Sequence, residues 1–399
     1  MKKYFILILL VFIVGCGSKV SKMKDLTLLN KNEIDAYAKD NNLKITYKDV
    51  YSTKEKGSVV SQSIKEGSKI NKDDKLIVEI SLGRLSSEEY RDKNVNELGR
   101  VPVMMYHGIH NKLNNETSYI GGNVDKDGYQ RTSEAFENDL EFYYSSGYRF
   151  IRLNDYINGK INVELGYSPI VLTFDDGLEN NIKVTGLDKD GNIIIDPKSA
   201  VGIMESFKKK HPDANITATF FVTGDLFNQK EYNDKILKWL VNNGYDIGNH
   251  TWTHVNFKNA GVSEAQQEVG SVYELLEKKI SGKYVNIVAL PYGSPGVKTH
   301  QTYPYILTGT YNGKTYHTDA CLRVGWESDY SPFSKYFDQQ FIKRIRAYDN
   351  NGVDFDIEYN FNILKEDRYI SDGNINTIVI PSIYKDYIVN KNNLEIITY

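Results

Sequence analysis

The stretch VLTFDDG, residues 171–177, runs three apolar residues and a threonine straight into two aspartates and a glycine. Val171–Phe174 reads as a buried strand, a short apolar run rich in β-branched and aromatic residues that stops at a turn signal. The strand ends on two adjacent carboxylates, Asp175 and Asp176, which repel each other unless a cation or a donor separates their roles. One of them could instead cap the following helix, with Gly177 permitting the turn.

Around this stretch the chain alternates two kinds of pattern. Strand-like runs at 101–109, 148–153, 168–177, 215–224, 244–252, 285–293 and 376–384 are separated by helical spacing at 133–147, 199–212, 233–244 and 262–281, with Ser133 and Ser263 as caps. That order predicts an α/β fold with a mainly parallel sheet or barrel. The segment 184–199 reads as a hairpin insertion turning at Asp190–Gly191. In parallel α/β folds the groups that bind and react gather at the carboxyl ends of strands, where Asp175 and Asp176 stand.

A second stretch, GNHTWTH at 248–254, also closes a strand-like run and carries His250 and His254 four residues apart. On one helical turn that spacing brings both imidazoles to one side. Two histidines with a carboxylate from elsewhere make a three-ligand metal site that leaves a position open for water. Zinc suits that donor set, as do cobalt, nickel and manganese.

Composition bounds what else the chain can be. With 399 residues, 40% apolar and 25% charged, it is ordinary globular material, and a net charge of −3 offers no nucleic-acid surface. The opening MKKYFILILLVFIVGCGSK has the layout of a secretory signal and is too short for a membrane span. Ile13–Cys16 resembles the bacterial lipobox, which implies lipidation at Cys16, a membrane anchor and an outward-facing protein. Only Cys321 would then remain, so the mature chain can form no internal disulfide.

Residues 23–84 form a small unit. Asn30–Glu33 offers capping side chains to a helix bearing Ile34, Tyr37 and Ala38, and strand-like runs follow at 58–63 and 75–81. The stretch GSVVSQSIKEGSKINKDDKLIVEIS resembles a PASTA repeat, which implies proximity to peptidoglycan; a plain spacer role is the alternative. Residues 1–22 are then signal and anchor, 85–99 a linker or helix, and 100–399 the main domain.

The order TFDDG, ATFFVTG, NGYDIGNHTWTH resembles the polysaccharide deacetylase (NodB-type) domain of the family 4 carbohydrate esterases. The resemblance implies a distorted (β/α) barrel, with Asp175 as general base and Asp176, His250 and His254 holding one divalent metal, zinc first among the candidates. LPYG at 290–293 is similar to the third motif, which makes Pro291 a substrate contact and Tyr292 the donor of a backbone N–H to the oxyanion. RVGWESDYSP sets Trp326 and Asp329 where members line the acetyl pocket; Trp326 as a core residue is the alternative. Two features depart from the common pattern. Ala289 stands where most members carry an arginine that steadies the base, and TIVIPSI has Pro381 and Ser382 where a terminal histidine acts as acid.

Deacetylases of poly-N-acetylglucosamine have a permuted barrel that opens on a strand ending MYH. VPVMMYHGI, 101–109, resembles that opening and makes His107 the acid, against the alternative of a satisfied core histidine. The expectation is a metal-dependent N-deacetylase of N-acetylglucosamine units in peptidoglycan or a related surface polysaccharide. The partners it implies are that glycan and the membrane, not nucleic acid. The alternatives are an inactive metal- and wall-binding lipoprotein and an esterase of O-acetylated glycans.

Overall fold

The computed structural model describes residues 21–111 and 119–399, so the lipobox and Cys16 lie outside the described residues. The chain divides into two compact units, one ending at Leu85 and the other spanning Ser86–Tyr399.

In the first unit Asn30 and Glu33 close a reciprocal cap on helix α1, Lys31–Asp40, which buries Ile34 and Ala38. Strands β1 (Lys44–Val50), β2 (Val59–Gln62) and β3 (Lys75–Ser81) form a sheet with β3 in the middle, parallel to β1 and antiparallel to β2. Strand β1 is a difference from the sequence reading. Its sequence, KITYKDV, contains no buried residue, and such an edge strand leaves no apolar alternation to read.

The second unit is built on a parallel sheet of eight strands: β4 (Val103–Tyr106), β5 (Tyr148–Phe150), β6 (Ser168–Phe174), β7 (Thr219–Val222), β8 (Asp246–Asn249), β9 (Ile287–Ala289), β10 (Ala320–Leu322) and β11 (Ile345–Arg346). Seven of them run in the order β10-β9-β8-β7-β6-β4-β11, and β5 pairs with the start of β6. Leu322 at the end of β10 bridges in parallel to Ile342, just ahead of β11, so the two ends of the sheet meet and close a distorted barrel.

Side chains alternate along these strands. Val103, Val171, Phe221, Ala289 and Leu322 belong to the apolar cluster that fills the barrel. Met104, Leu172, Phe174, Phe220 and Ile345 face outward into the layer under the helices. That layer includes α2 (Ser133–Ser145), α3 (Ala200–Lys210), α4 (Asn233–Asn242) and α5 (Val262–Ile280). A hairpin of Val184–Leu187 and Ile193–Ile195 lies between β6 and α3 in the chain.

Three local expectations need correcting. The caps of α2 and α5 are Thr132 and Gly261, one and two residues ahead of the serines, since a cap must still have extended backbone. The run at 376–384 contributes Thr377–Ile380, which pairs only with Glu395–Thr398 in a separate two-stranded sheet. Its apolar residues say that it is a strand and nothing about which sheet it joins. The barrel position beside β6 is filled by β4 instead, with Tyr106 opposite Phe174.

Candidate metal centre and active site

Because Tyr106 pairs with Phe174, the next residues, His107 and Asp175, come side by side at the carboxyl end of the barrel. Alternation turns Asp175 inward, where it is 1% exposed. Beneath it lies Arg344, fully buried, whose Nη1 and Nη2 donate to Asp175 Oδ1 and Oδ2, both at 2.7 Å. Arg344 Nη1 also reaches Thr173 Oγ1 at 3.2 Å, and its Nε donates to the Arg323 carbonyl at 2.9 Å. Burial alone would raise the Asp175 pKa, but the bidentate guanidinium and the imidazoles of His250 and His107 outweigh it and hold the carboxyl well below the usual range. The chain passes Arg344 closely at Gly325, where a Cβ would meet the Arg344 carbonyl oxygen at 1.6 Å.

Asp176 takes a left-handed backbone, φ 73°, which swings its carboxylate back over the mouth. Gly177 continues the turn at φ 62°, and a Cβ there would sit 2.1 Å from the Leu226 carbonyl oxygen. Asp176 Oδ1 lies 3.1 Å from His250 Nε2 and 3.5 Å from His254 Nε2, and the ligand atoms of all three residues fall within 4.8 Å of one another. The two histidines are not on a helical turn. They stand on a loop with left-handed residues at Thr251 and His254, pinned to α5 by Glu268, which accepts from Thr253 N at 2.7 Å and Thr253 Oγ1 at 2.8 Å.

The atoms themselves fit a cation. His250 Nδ1 lies 2.8 Å from the Ala289 carbonyl, which can only accept, so Nδ1 carries the hydrogen and the Nε2 of the neutral ring presents a lone pair. That lone pair faces a carboxylate oxygen, and both atoms are buried without a hydrogen-bond partner. Two acceptors at this distance need a positive centre between them. Ligands about 2.0–2.2 Å from one tetrahedral ion are separated by roughly 3.4 Å, matching the spacing observed. Despite burial, Asp175 and Asp176 hold the His250 pKa above its ordinary value. A proton on His250 therefore competes with a metal ion, so metal affinity, followed by titration at a series of pH values, should fall as the pH is lowered.

His107 stands beside Asp175, its Nε2 3.9 Å from Asp175 Oδ2, its Nδ1 buried and unpartnered. Its ring meets the edge of Tyr129 at 4.9 Å, and its carbonyl accepts from Asn181 Nδ2 at 2.7 Å. After β9 the chain makes a tight turn at Pro291–Gly293. Tyr292 there is left-handed, φ 57°, and 65% exposed, with its ring 4.6 Å from His254. Its backbone N–H has no acceptor among the described residues. Pro291 is buried against the same turn.

Residues 163–304 match the polysaccharide deacetylase family, and residues 21–82 match the PASTA domain. The chain carries a polysaccharide deacetylase domain.

A 124-residue stretch is 31% identical to the peptidoglycan-N-acetylmuramic acid deacetylase PdaC of Bacillus subtilis, covering 31% of this chain and 21% of that protein. It is 29% identical to a peptidoglycan-N-acetylglucosamine deacetylase of Bacillus cereus, covering 31% and 36%. The alignments thus span less than two thirds of either relative. In structure the chain is similar to the Streptococcus pyogenes deacetylase PplD, solved in complex with acetate, with a TM-score of 0.47, 18% identity, and coverage of 68% and 99%.

The deacetylase match begins after β4 and ends before β10. His107 and Arg344 both lie outside it. Arg344 is the residue that sequence reading missed. With Ala289 where the usual arginine stands, the base seemed untethered. The guanidinium comes from another strand, and the only trace of it in the sequence is the alternation Arg344-Ile345-Arg346. The strands β10 and β11, three and two residues long, are too short to show a period.

Trp326 lies at the rim, 47% exposed, with its ring 6.1 Å from Phe355 and the Arg346 guanidinium 5.5 Å from its centroid. Asp329 is a correction. It is 3% exposed and bridges to Val101, six residues before His107 and therefore at the opposite end of β4. Its oxygens accept from Tyr330 N at 2.7 Å and Lys343 N at 3.1 Å, and burial pushes its pKa up to about 7. It is a structural buckle, not a substrate contact. Asp329→Ala should lower unfolding stability by about 1–3 kcal/mol in a denaturant melt while leaving KM unchanged, since two buried N–H groups lose their acceptor.

Proposed function

We propose that the protein is a metal-dependent N-deacetylase of N-acetylglucosamine units in peptidoglycan or a related cell-surface polysaccharide. The observation that carries this reading is the convergence of a cation site, an arginine-tethered carboxylate and a buried histidine at one barrel mouth. The activities of the two Bacillus relatives and the PASTA domain support a wall glycan as the substrate. They also support an extracytoplasmic location, and the resemblance of Ile13–Cys16 to the lipobox is what supports a lipid on Cys16 as the anchor. No described helix is long and apolar enough to cross a membrane.

In this reading Asp176, His250 and His254 would hold one divalent cation, zinc first, which when bound would supply Lewis-acid polarisation of the acetyl carbonyl and a more acidic water. Asp175, kept ionised by Arg344, accepts a proton from the attacking water. The Tyr292 N–H, free of any other acceptor, donates to the oxygen that gains charge as the carbonyl is attacked. The amide C–N bond breaks, acetate leaves, and the sugar nitrogen needs a proton. His107 supplies it. Burial holds its pKa below the ordinary value, so the ring is neutral until a proton reaches it. The proton that Asp175 takes from water is the source, and the 3.9 Å between Asp175 Oδ2 and His107 Nε2 has to close or be bridged by a water for its transfer. Trp326 and Pro291 contact the sugar and its acetyl group.

His107→Gln is expected to lower kcat about 10²–10⁴-fold with metal affinity unchanged, by the usual weight of general acid catalysis. A loss of metal binding in the same variant would assign His107 to the cation instead. The reading as a whole is tested by acetate release from N-acetylglucosamine oligomers and purified peptidoglycan, after metal removal and after return of zinc or cobalt. Release only from O-acetylated oligomers would make the protein an esterase, and metal binding with no release would make it a binding protein.

A further inference from the structure

We propose that Arg346 binds an anionic group carried by the substrate glycan, so that strands bearing carboxylates are preferred over neutral ones. The proposal rests on the deacetylase reading and adds a substrate class to it. Side chains alternate on β11. Ile345 faces outward, so Arg344 and Arg346 share the face that looks into the barrel, about 6.6 Å apart along the strand. The lower arginine spends its charge on Asp175. The upper one stands one step nearer the mouth and forms no ion pair with any described carboxylate.

What surrounds Arg346 holds its cation without neutralising it. Its guanidinium lies over the rings of Tyr348 at 4.4 Å, Tyr129 at 5.5 Å and Trp326 at 5.5 Å. One nitrogen, Nη1, donates to the Asp127 carbonyl at 2.7 Å, and Nε is buried with no partner. Aromatic faces attract a guanidinium and fix its plane, and Tyr348 also takes a side-chain hydrogen bond from it, but these neutral partners leave its net charge uncompensated. Tyr129 also touches the His107 ring, which puts this charge one side chain away from the proposed acid. Trp326 leaves the cage open toward solvent.

A planar guanidinium fixed in this way, with donors free, suits bidentate recognition of a carboxylate or a phosphate. On an N-acetylated glycan either could supply the anion: the carboxylate of a lactyl ether on an amino sugar, or a phosphate ester on a hydroxyl. A neutral homopolymer offers neither. An uncompensated cation at the mouth is costly to keep when the substrate carries no charge, and its field favours an anionic strand.

The test measures kcat/KM for acetate release by the metal-loaded full chain on four substrates. These are peptide-free glycan strands bearing lactyl carboxylates, the same strands with the carboxylates converted to amides, neutral N-acetylglucosamine oligomers, and those oligomers carrying 6-phosphates. Wild-type protein should favour an anionic substrate at least tenfold, and the charged pair that shows the preference identifies the anion. Arg346→Gln, which keeps a planar amide in the cage, should bring the ratio of anionic to neutral kcat/KM close to one, mainly through KM. Arg346→Lys should keep part of the preference, and 0.5 M salt should weaken it. An unchanged ratio in Arg346→Gln, or an equal loss on all substrates, would overturn the proposal and leave Arg346 as packing. Release from none of the four by wild-type protein would overturn the deacetylase reading itself, and the proposal with it.

Discussion

Arg344→Ala should destabilise the barrel by about 3–5 kcal/mol and cut acetate release by at least about 100-fold, because it leaves the Asp175 charge buried without its partner. Asp175 is 1% exposed, and both its oxygens are held by the same guanidinium. Without it, burial dominates, the carboxyl pKa rises, and the base is protonated at the pH where it must accept a proton. Arg344→Lys keeps the charge but cannot make two parallel bonds, so it should recover part of the stability and less of the rate. The double variant Asp175→Asn with Arg344→Met should be more stable than Arg344→Met alone, since it removes the orphaned charge as well. Denaturant melts and acetate assays on the four proteins read these effects. Full activity in Arg344→Ala would mean that Asp175 is not the tethered base.

Asp176→Asn should abolish metal-induced stabilisation, while the metal-free protein loses only the attraction between Asp176 and a protonated His250. Asparagine tolerates the left-handed backbone that Asp176 adopts, so the turn itself is kept. The amide is a far weaker ligand than the carboxylate and brings no charge to balance a dication. Losing a residue that only orients a metal ligand costs about 10–100-fold in affinity, so losing a ligand itself should cost more. In a thermal melt with zinc at about 100 times the wild-type Kd, wild type gains about 2.7 kcal/mol and Asp176→Asn gains almost none. Acetate release should fall with it. Equal zinc stabilisation of both proteins would remove Asp176 from the cation site.

The parts of this site legible in the sequence were those carried by strong local signals. TFDDG stands at the end of β6, whose apolar run is long enough to read as a strand, and the histidine pair follows the short strand β8. What could not be read depends on which strands become neighbours. His107 was legible in the MYH strand, and only its place beside Asp175 depends on β4 pairing with β6; Arg344 was not legible, since it reaches Asp175 because a two-residue strand closes the ring next to β4. The spacing of His250 and His254 was read as a helical turn, yet two left-handed residues, Thr251 and His254, achieve the convergence on a loop. Asp329 was misplaced because a motif gives the order of residues and not the end of the barrel at which the chain passes.

On the function proposed above, the mouth of this barrel performs metal-dependent hydrolysis of an acetamide with Asp175 as its base. The most direct measurement takes wild type and Asp175→Asn, loads both with zinc, records bound metal per chain, and follows acetate release from peptidoglycan glycan strands on the same samples. One metal per chain is expected in both proteins, with release by wild type alone. Release by Asp175→Asn at a rate near that of wild type would contradict that function, and so would a wild-type chain that holds its metal and frees no acetate.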